Sequence, residues 1–289
     1  IQAGIVNNLE NALAKIYEGL EVIENKTNQI FNDVNIIIDY KNLECLKVTS
    51  FKKFNGSQIS KEDISFILND IKRVILENEK NKTIIQIFNT KFIFDKNETD
   101  NLPIGLYGDF YNHELSFFLV KNNELKNLKS LLNKCNLTLD KIHTKSFLKG
   151  VQYINSDEEK QKFCLISIQK KNSYISIFYK SSYIYFESFN FGTDIILQDV
   201  AKVCSLDNES IFKIIKYINE NPKHDSDELV KKEYFTSRVY RKIRLSLIEE
   251  IISARIEEII NLILKKNINL KNYNLDEYNT NINFKNLLL

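Results

Sequence analysis

Methionine and tryptophan are absent from the 289 residues of this sequence, and glycine and proline number only seven and two. Because the chain starts Ile1-Gln2-Ala3-Gly4, with no initiating methionine, we expect its N-terminus to be cut within a domain. Neither G-x-x-x-x-G-K followed by Ser or Thr nor G-x-G-x-x-G occurs. The shortage of glycine therefore excludes the P-loop and dinucleotide-binding classes.

Cysteine and histidine are also scarce, and neither forms a cluster along the chain. The four cysteines are far apart and show no metal-ligand pairing: Cys45, Cys135, Cys164 and Cys204. Such spacing predicts buried free thiols in a reducing cytosol. The three histidines, His113, His143 and His224, are equally scattered. We therefore expect no metal site.

No charge of one sign predominates, since 40 Lys and Arg oppose 38 Asp and Glu for a net charge of +2. This balance gives no electrostatic basis for binding nucleic acid or an anionic membrane. Long hydrophobic runs are missing too: none reaches the roughly 18 residues that a membrane span requires, and no signal peptide is visible. The sequence thus predicts a cytoplasmic protein that does not bind nucleic acid.

Local signatures of catalysis are not found either. There is no G-x-S-x-G elbow, so the sequence offers no nucleophile of the hydrolase type. Carboxylate pairs such as Glu249-Glu250 and Glu257-Glu258 fall on a predicted helix, where a solvated face explains them better than acid/base chemistry. No catalytic residue is predicted.

Hydrophobic periodicity predicts a mixture of helices and strands along the whole chain, which indicates the α/β class. Ser60-Lys-Glu-Asp63 predicts a capped helix start, with Asp63 in the place usually taken by Glu or Gln. Other predicted helices cover residues 7–26, 124–135, 145–154, 210–220 and 237–266, and predicted strands include 34–39, 46–51, 83–95, 114–121 and 137–142.

Three further strands form a predicted meander: Leu165–Ile168, Tyr174–Phe178 and Tyr183–Phe189. Gly192 follows them at the start of another helix. This layout is typical of a phosphate site, because glycine lets main-chain N–H groups approach an anion closely. The first bend reads Gln169-Lys170-Lys171-Asn172, however, and contains neither glycine nor carboxylate.

The order of these pieces resembles the FtsA family of bacterial cell-division proteins, over most of the chain. The most specific match is Leu102-Pro-Ile-Gly-Leu-Tyr-Gly108, which is similar to the family's n-P-x-G-M-x-G passage and keeps Pro103, Gly105 and Gly108 in register. Similar stretches are Gly4-Ile-Val6 with the helix after it, Gln58–Ile64, Ile84–Asp95, Leu125–Leu128 and Ile251–Ile259.

The resemblance implies an actin-like (ribonuclease H-like) two-lobed α/β fold with the FtsA-type inserted α/β subdomain. We expect residues 1–47 to be a partial first lobe, 48–121 the inserted subdomain, 122–155 the remainder of the first lobe and 156–289 a partial second lobe. The family's C-terminal amphipathic membrane helix is not recognisable in residues 267–289.

ATP with magnesium is the cofactor that the resemblance implies, but this chain has lost much of the expected site. Ser167–Ile175 stands where the family has D-I-G-G-G-T-T-D-I, with Tyr174 in place of the closing aspartate. Gly192–Ala201 aligns with G-G-D-H-I-T-N-D-I-A, and Phe212 takes the place of the nucleoside-contacting glutamate. The candidate nucleotide-binding residues are therefore Gly192, Thr193 and Lys216, and we expect weak or absent ATP hydrolysis.

Partner binding is the function that the resemblance leaves strongest. The family's helix that meets the C-terminal peptide of FtsZ is similar to Ile251–Ile259, and we expect the partner-binding residues to lie on the predicted helix 237–266: Arg241, Arg244, Arg255 and Glu258. An arginine fork suits the carboxylates of a docking peptide. Self-association and attachment to the inner face of the membrane at the division septum are implied as well.

Three alternatives remain open. An active ATPase or sugar kinase of the same fold predicts a phosphate-loop aspartate and glycines, which the chain lacks. A pilus-assembly or rod-shape scaffold is not expected to show the Leu102–Gly108 passage. An unrelated soluble binding module predicts no common register among the widely spaced matches.

Overall fold

The structure is a computed structural model that describes residues 5–39, 41–154, 162–221, 225, 227–236 and 239–275, and the backbone of 279–282. The helices are α1 (Leu9–Thr27), α2 (Lys61–Asn78), α3 (Asn122–Lys134), α4 (Lys145–Ile154), α5 (Thr193–Cys204), α6 (Asn208–Glu220) and α7 (Leu245–Leu264). The strands are β1 (Asp33–Ile38), β2 (Glu44–Lys53), β3 (Lys82–Phe94), β4 (Asn97–Thr99), β5 (Phe110–Lys121), β6 (Thr138–Thr144), β7 (Lys162–Ile168), β8 (Ser173–Tyr179), β9 (Ser182–Phe189) and β10 (Asn279–Ile282).

The chain divides into two units. The first comprises Ile1–Phe163 with Ser176–Glu187, and the second comprises Cys164–Ile175 with Ser188–Leu289. Among the described residues, no helix is both long enough and apolar enough to cross a membrane.

In the first unit, β1 and β6 form a two-stranded parallel sheet. One face of this pair is apolar, and it packs against α1 and the C-terminal end of α3. Leu13, Ile16 and Leu20 of α1 lie against Leu132 and residues of the two strands. Their helical spacing is what places them on one side of α1.

The second sheet of this unit is four-stranded, with the order β2-β5-β3-β4, and its neighbouring strands are antiparallel. Helix α2 covers one face, where Ile67, Ile71 and Ile75 pack against Leu115 and Phe117 of β5. The predicted start of α2 is confirmed as a capping box: Ser60 Oγ accepts a hydrogen bond from Asp63 N, and Asp63 Oδ2 accepts one from Ser60 N. Strand β5 begins at Phe110, four residues earlier than Glu114, where the sequence predicted it.

Strands β7, β8 and β9 form the predicted meander, in a sheet with the order β10-β7-β8-β9. In the second unit, α5, α6 and α7 share one apolar core. Its central residues are fully or almost fully buried: Val200, Ile211, Ile214, Val230, Leu245 and Ile248.

Helix α7 does not begin near residue 237, as the sequence predicted, but at Leu245. The chain before it is held in an extended conformation, because Val230 N donates to Ile243 O at 2.8 Å and Leu245 N donates to Glu228 O at 2.9 Å. These hydrogen bonds take main-chain groups that a longer helix would need for itself. Arg241 and Arg244 therefore precede the helix, and the prediction that they lie on it is wrong.

Candidate functional site

The bend between β7 and β8 lies against the N-terminus of α5. Within the bend, Gln169 N donates to Asn172 O at 2.8 Å. Two carbonyl oxygens of the bend accept hydrogen bonds from the start of α5: Thr193 N donates to Gln169 O at 2.9 Å, and Asp194 N donates to Lys170 O at 2.9 Å. The bend and the helix start are thus joined through main-chain atoms.

Gly192 is required by the closeness of this contact. Its φ of −161° is an extended value that any residue adopts. A Cβ atom on Gly192, however, would lie 2.0 Å from Gln169 O, 2.8 Å from Lys170 O and 2.9 Å from Asn172 N. All three atoms belong to the main chain, which cannot swing aside as a side chain can. The glycine is therefore explained by close packing of two backbone segments.

This contact has a direct consequence for anion binding. The first N–H groups of a helix have no partner within the helix, and together with the helix dipole they form a natural phosphate site. At α5, the N–H groups of Thr193 and Asp194 already donate to carbonyl oxygens of the bend. A phosphate would have to displace those oxygens before it could receive either hydrogen bond.

The three predicted nucleotide-binding residues do not all lie at the N-terminus of α5. Gly192 and Thr193 are buried at the start of α5, where they contact the bend. Lys216 lies on α6 with an exposed side chain, and its Nζ is 3.9 Å from Glu220 Oε1, one turn further along the same helix. Phe212, on the same helix, is also exposed. The described contacts of Lys216 do not connect it to the start of α5.

Of the predicted partner-binding residues, Arg255 and Glu258 lie on α7. Arg255 Nη1 donates to Glu258 Oε2 at 2.6 Å, and Arg255 Nε donates to Asp199 Oδ2 of α5. The guanidinium is only partly exposed. Arg255 therefore has two carboxylate partners within its own chain, and it ties α7 to α5.

Arg241 and Arg244 are more accessible. Arg244 Nη1 is 3.4 Å from Asp227 Oδ1, and both side chains are largely exposed. Arg241 is exposed and forms no ion pair within the described part of the chain. Leu229 is the partner of Arg244 in an isolated β-bridge, and Leu247 is exposed in the first turn of α7.

The sequence did not predict two kinds of group that take part in these contacts: the carboxylate that pairs with Arg255 and the carbonyl oxygens of the bend. Asp199 lies within the stretch Gly192–Ala201 that is similar to the FtsA pattern, and nothing in its spacing shows that it pairs with Arg255, 56 positions away. The carbonyl oxygens of Gln169 and Lys170 carry no side-chain signal at all. The absence of glycine from the bend predicts weak or absent ATP hydrolysis, and this stays a prediction.

Comparison with known proteins confirms the fold. The solved structure of the "PilM-PilN type IV pilus biogenesis complex" is similar to 95% of this chain and 68% of its own chain, with a TM-score of 0.54 and 8% sequence identity. No family model matches the sequence. The chain has the actin-like α/β fold, as its sequence predicted.

Among curated proteins, the chain is similar to the cell division protein FtsA. It is 21% identical to FtsA of Buchnera aphidicola subsp. Schizaphis graminum over 267 residues, which are 91% of this chain and 63% of that protein. It is 20% identical to FtsA of Neisseria meningitidis serogroup B over 266 residues, or 91% of this chain and 64% of that protein. The predicted resemblance to FtsA is confirmed at this low identity. The chain spans less than two thirds of the length of these relatives.

Proposed function

We propose that this protein is a cell-division scaffold of the FtsA type, which binds the C-terminal peptide of FtsZ and self-associates at the division septum. The similarity to FtsA extends over 91% of the chain, and this supports a role in cell division. Attachment to the inner face of the cytoplasmic membrane is part of the same proposal. It would require a membrane-binding segment of the family's C-terminal kind.

The observation that carries the proposal is the closed contact between the meander bend and α5. Gln169 O and Lys170 O accept the hydrogen bonds that a nucleotide phosphate would need from Thr193 and Asp194. The bend also has no carboxylate to direct a metal ion. A protein built this way acts by contacting other proteins rather than by turning over ATP.

The docking surface that we propose begins where α7 begins. Arg241 and Arg244 are exposed, and so is the side chain of Leu247, which follows Arg244 by three residues. Arginine binds carboxylates through paired N–H groups, and an apolar side chain on the same surface allows a peptide to bury an apolar residue of its own. Arg255 and Glu258 belong to the same proposed surface, further along α7. A peptide carboxylate would reach Arg255 in competition with Asp199.

Binding of a labelled FtsZ C-terminal peptide, followed by fluorescence anisotropy, tests this function. We expect the double variant Arg241→Glu/Arg244→Glu to weaken binding at least tenfold, because two attractive charges become repulsive. Lys202→Glu, at an exposed position on α5, is the matched control and should change the affinity less than twofold. Equal affinity of the double variant and the unchanged protein would refute the docking surface.

The main alternative is an active ATPase or sugar kinase of the same fold. It predicts magnesium-dependent release of phosphate from ATP by the purified protein at a rate well above background. A sustained turnover of this kind would overturn the scaffold proposal. A scaffold for pilus assembly or rod shape is the other alternative; the likeness to the PilM structure supports it no further than the fold.

A further inference from the structure

An open pocket lies on the face of the four-stranded sheet that is opposite α2. Its volume is about 250 Å³, and it is lined by Phe51, Ile93, Lys96, Phe110 and Asn112. The strand pairing explains how these residues meet: Asn112 of β5 is paired with Phe51 of β2 on one side and with Ile93 of β3 on the other. Paired residues of neighbouring strands point to the same face.

The walls of the pocket are aromatic and apolar. Phe51 and Phe110 stack with their ring centroids 5.7 Å apart, and 61% of Phe51 is exposed to solvent. Further along the same face, by contrast, Ser116 is fully buried and its Oγ donates to Ile184 O of β9 at 2.9 Å. The sheet thus has one covered end and one end at which large apolar side chains face solvent.

One of the residues that line the pocket, Asn112, has a polar atom without a partner among the described residues. Asn112 Oδ1 is buried and accepts no hydrogen bond from any described residue. An unsatisfied buried acceptor costs roughly 1–3 kcal/mol. A ligand that brings an N–H or O–H donor into the pocket would remove that cost.

Two unpaired cations flank the aromatic wall. Lys53 Nζ lies 5.9 Å from the centre of the Phe110 ring, and Lys96 lines the pocket at the turn after β3. Neither lysine forms an ion pair within the described part of the chain. The carboxylate next to Lys96, that of Asp95, is turned to the main chain and accepts from Asp109 N and Phe110 N at 2.9 and 2.8 Å. Asp95 keeps its charge, but the ammonium groups of Lys53 and Lys96 have no ion-pair partner among the described residues, and a ligand carboxylate can pair with either of them.

We propose that this pocket is a docking site for an acidic segment of a partner protein, which inserts one tryptophan or tyrosine side chain. Ligand pockets for small molecules usually measure about 300–1,000 Å³, so this one suits a single large side chain better than a nucleotide. Tryptophan and tyrosine combine a ring for the Phe51–Phe110 wall with a donor for Asn112 Oδ1. Neighbouring carboxylates of the segment would face Lys53 and Lys96. The proposal does not depend on the α7 surface.

Three fluorescein-labelled peptides test it by anisotropy with the full chain: Gly-Asp-Glu-Trp-Asp-Glu-Gly, the same peptide with alanine for tryptophan, and Gly-Lys-Lys-Trp-Lys-Lys-Gly. We expect saturable binding of the first, with a Kd below about 1 mM, and at least tenfold weaker binding of the other two. Absence of saturable binding, or equal binding of all three, overturns the proposal.

Variants locate the site. Phe51→Ser and Lys53→Glu/Lys96→Glu should each weaken binding of the acidic tryptophan peptide at least tenfold. Phe66→Ser, at an exposed aromatic residue of α2, and the exposed pair Lys61→Glu/Lys80→Glu are the matched controls and should change it less than twofold. If a control variant weakens binding as much as a pocket variant, the assignment to the pocket is wrong.

Two further experiments test the role of Asn112 and distinguish a partner peptide from a second copy of this chain. Asn112→Leu should abolish the preference for tryptophan over phenylalanine in the acidic peptide, because it removes the acceptor without closing the pocket. Sedimentation equilibrium of the unchanged protein and of Phe51→Ser should give the same mass. A dimer that Phe51→Ser dissociates would mean that a second copy covers this face, and it would overturn the proposed partner.

Discussion

Thr193 donates its main-chain N–H to the carbonyl oxygen of Gln169 at 2.9 Å, where α5 begins. Asp194 does the same to Lys170. Two donors that other helix starts offer to anions are here part of the fold itself. The bend and the start of α5 are therefore held together by main-chain hydrogen bonds.

Substitution of Gly192 by alanine tests how tight this contact is. The added Cβ would lie 2.0 Å from Gln169 O, so we expect Gly192→Ala to lower the free energy of unfolding by about 1–3 kcal/mol in urea titrations. Gly19→Ala is the control, because Gly19 has nothing within 4 Å of its Cβ position and lies inside α1. That change should raise stability by about 0.5–1 kcal/mol. Equal effects of the two substitutions would show that the backbone of the bend moves to accommodate the added Cβ atom.

Thermal stability in the presence of ATP and magnesium tests whether the closed bend still admits a nucleotide. A ligand at 5 mM with a Kd of 5 mM or weaker stabilises the folded state by no more than about 0.4 kcal/mol, whereas a Kd of 5 μM gives about 4 kcal/mol. We expect the weak result, a rise of the unfolding midpoint below about 2 °C. A larger rise that vanishes with EDTA would contradict the closed site.

Much of the fold followed from local patterns in the sequence. The capping residues Ser60 and Asp63 placed the start of α2, and α4 has the predicted bounds of 145–154. The start of α7 could not be predicted, because Ile243 and Leu247 continue the helical spacing of apolar residues. Only the pairing of Ile243 with Val230, distant in sequence, shows that this stretch is extended.

The sequence predicted that the bend has no glycine. It did not predict which atoms lie at the N-terminus of α5. The absence of glycine from Gln169–Asn172 can be read from the residue types alone. That carbonyl oxygens occupy the α5 N-terminus is a property of the backbone path, which no residue type records. Asp199 and Arg255 illustrate the same limit, since tertiary packing alone brings them together.

A double-mutant cycle on Asp199 and Arg255 measures how strongly α5 and α7 are tied together. Both side chains are partly buried, with relative exposures of 23% and 31%. We expect a coupling free energy of about 0.5–1 kcal/mol from Asp199→Ala, Arg255→Ala and the double variant, and a smaller value in 1 M salt. The cycle Arg255–Glu258 is the comparison, because Glu258 is more exposed and should couple more weakly. A coupling near zero for Asp199 would free Arg255 for a partner at no cost.

The stability of the protein should fall in mild acid because of His113. This residue is 2% exposed on β5, its Nε2 lies 2.9 Å from Asn89 Oδ1, and burial lowers its pKa to about 4 from the usual 6.5. The unfolded chain therefore binds a proton that the folded chain refuses, and stability is lost as the pH falls from about 6.5 towards 4. Between pH 6.5 and 5 we expect a loss of about 1.5 kcal/mol in the free energy of unfolding.

The variant His113→Gln isolates this effect from other titrating groups. Glutamine keeps an N–H donor for Asn89 but does not titrate, so the loss between pH 6.5 and 5 should shrink by about 1.5 kcal/mol. Glu98 acts in a different window: burial raises its pKa, yet hydrogen bonds from Tyr179 and two lysines lower it to about 2, so its contribution is lost only as the pH falls below about 4.5. Urea titrations at half-unit pH steps resolve the two windows. An unchanged slope above pH 5 in His113→Gln would assign the acid sensitivity to another group, because no other consequence of the substitution varies with pH there.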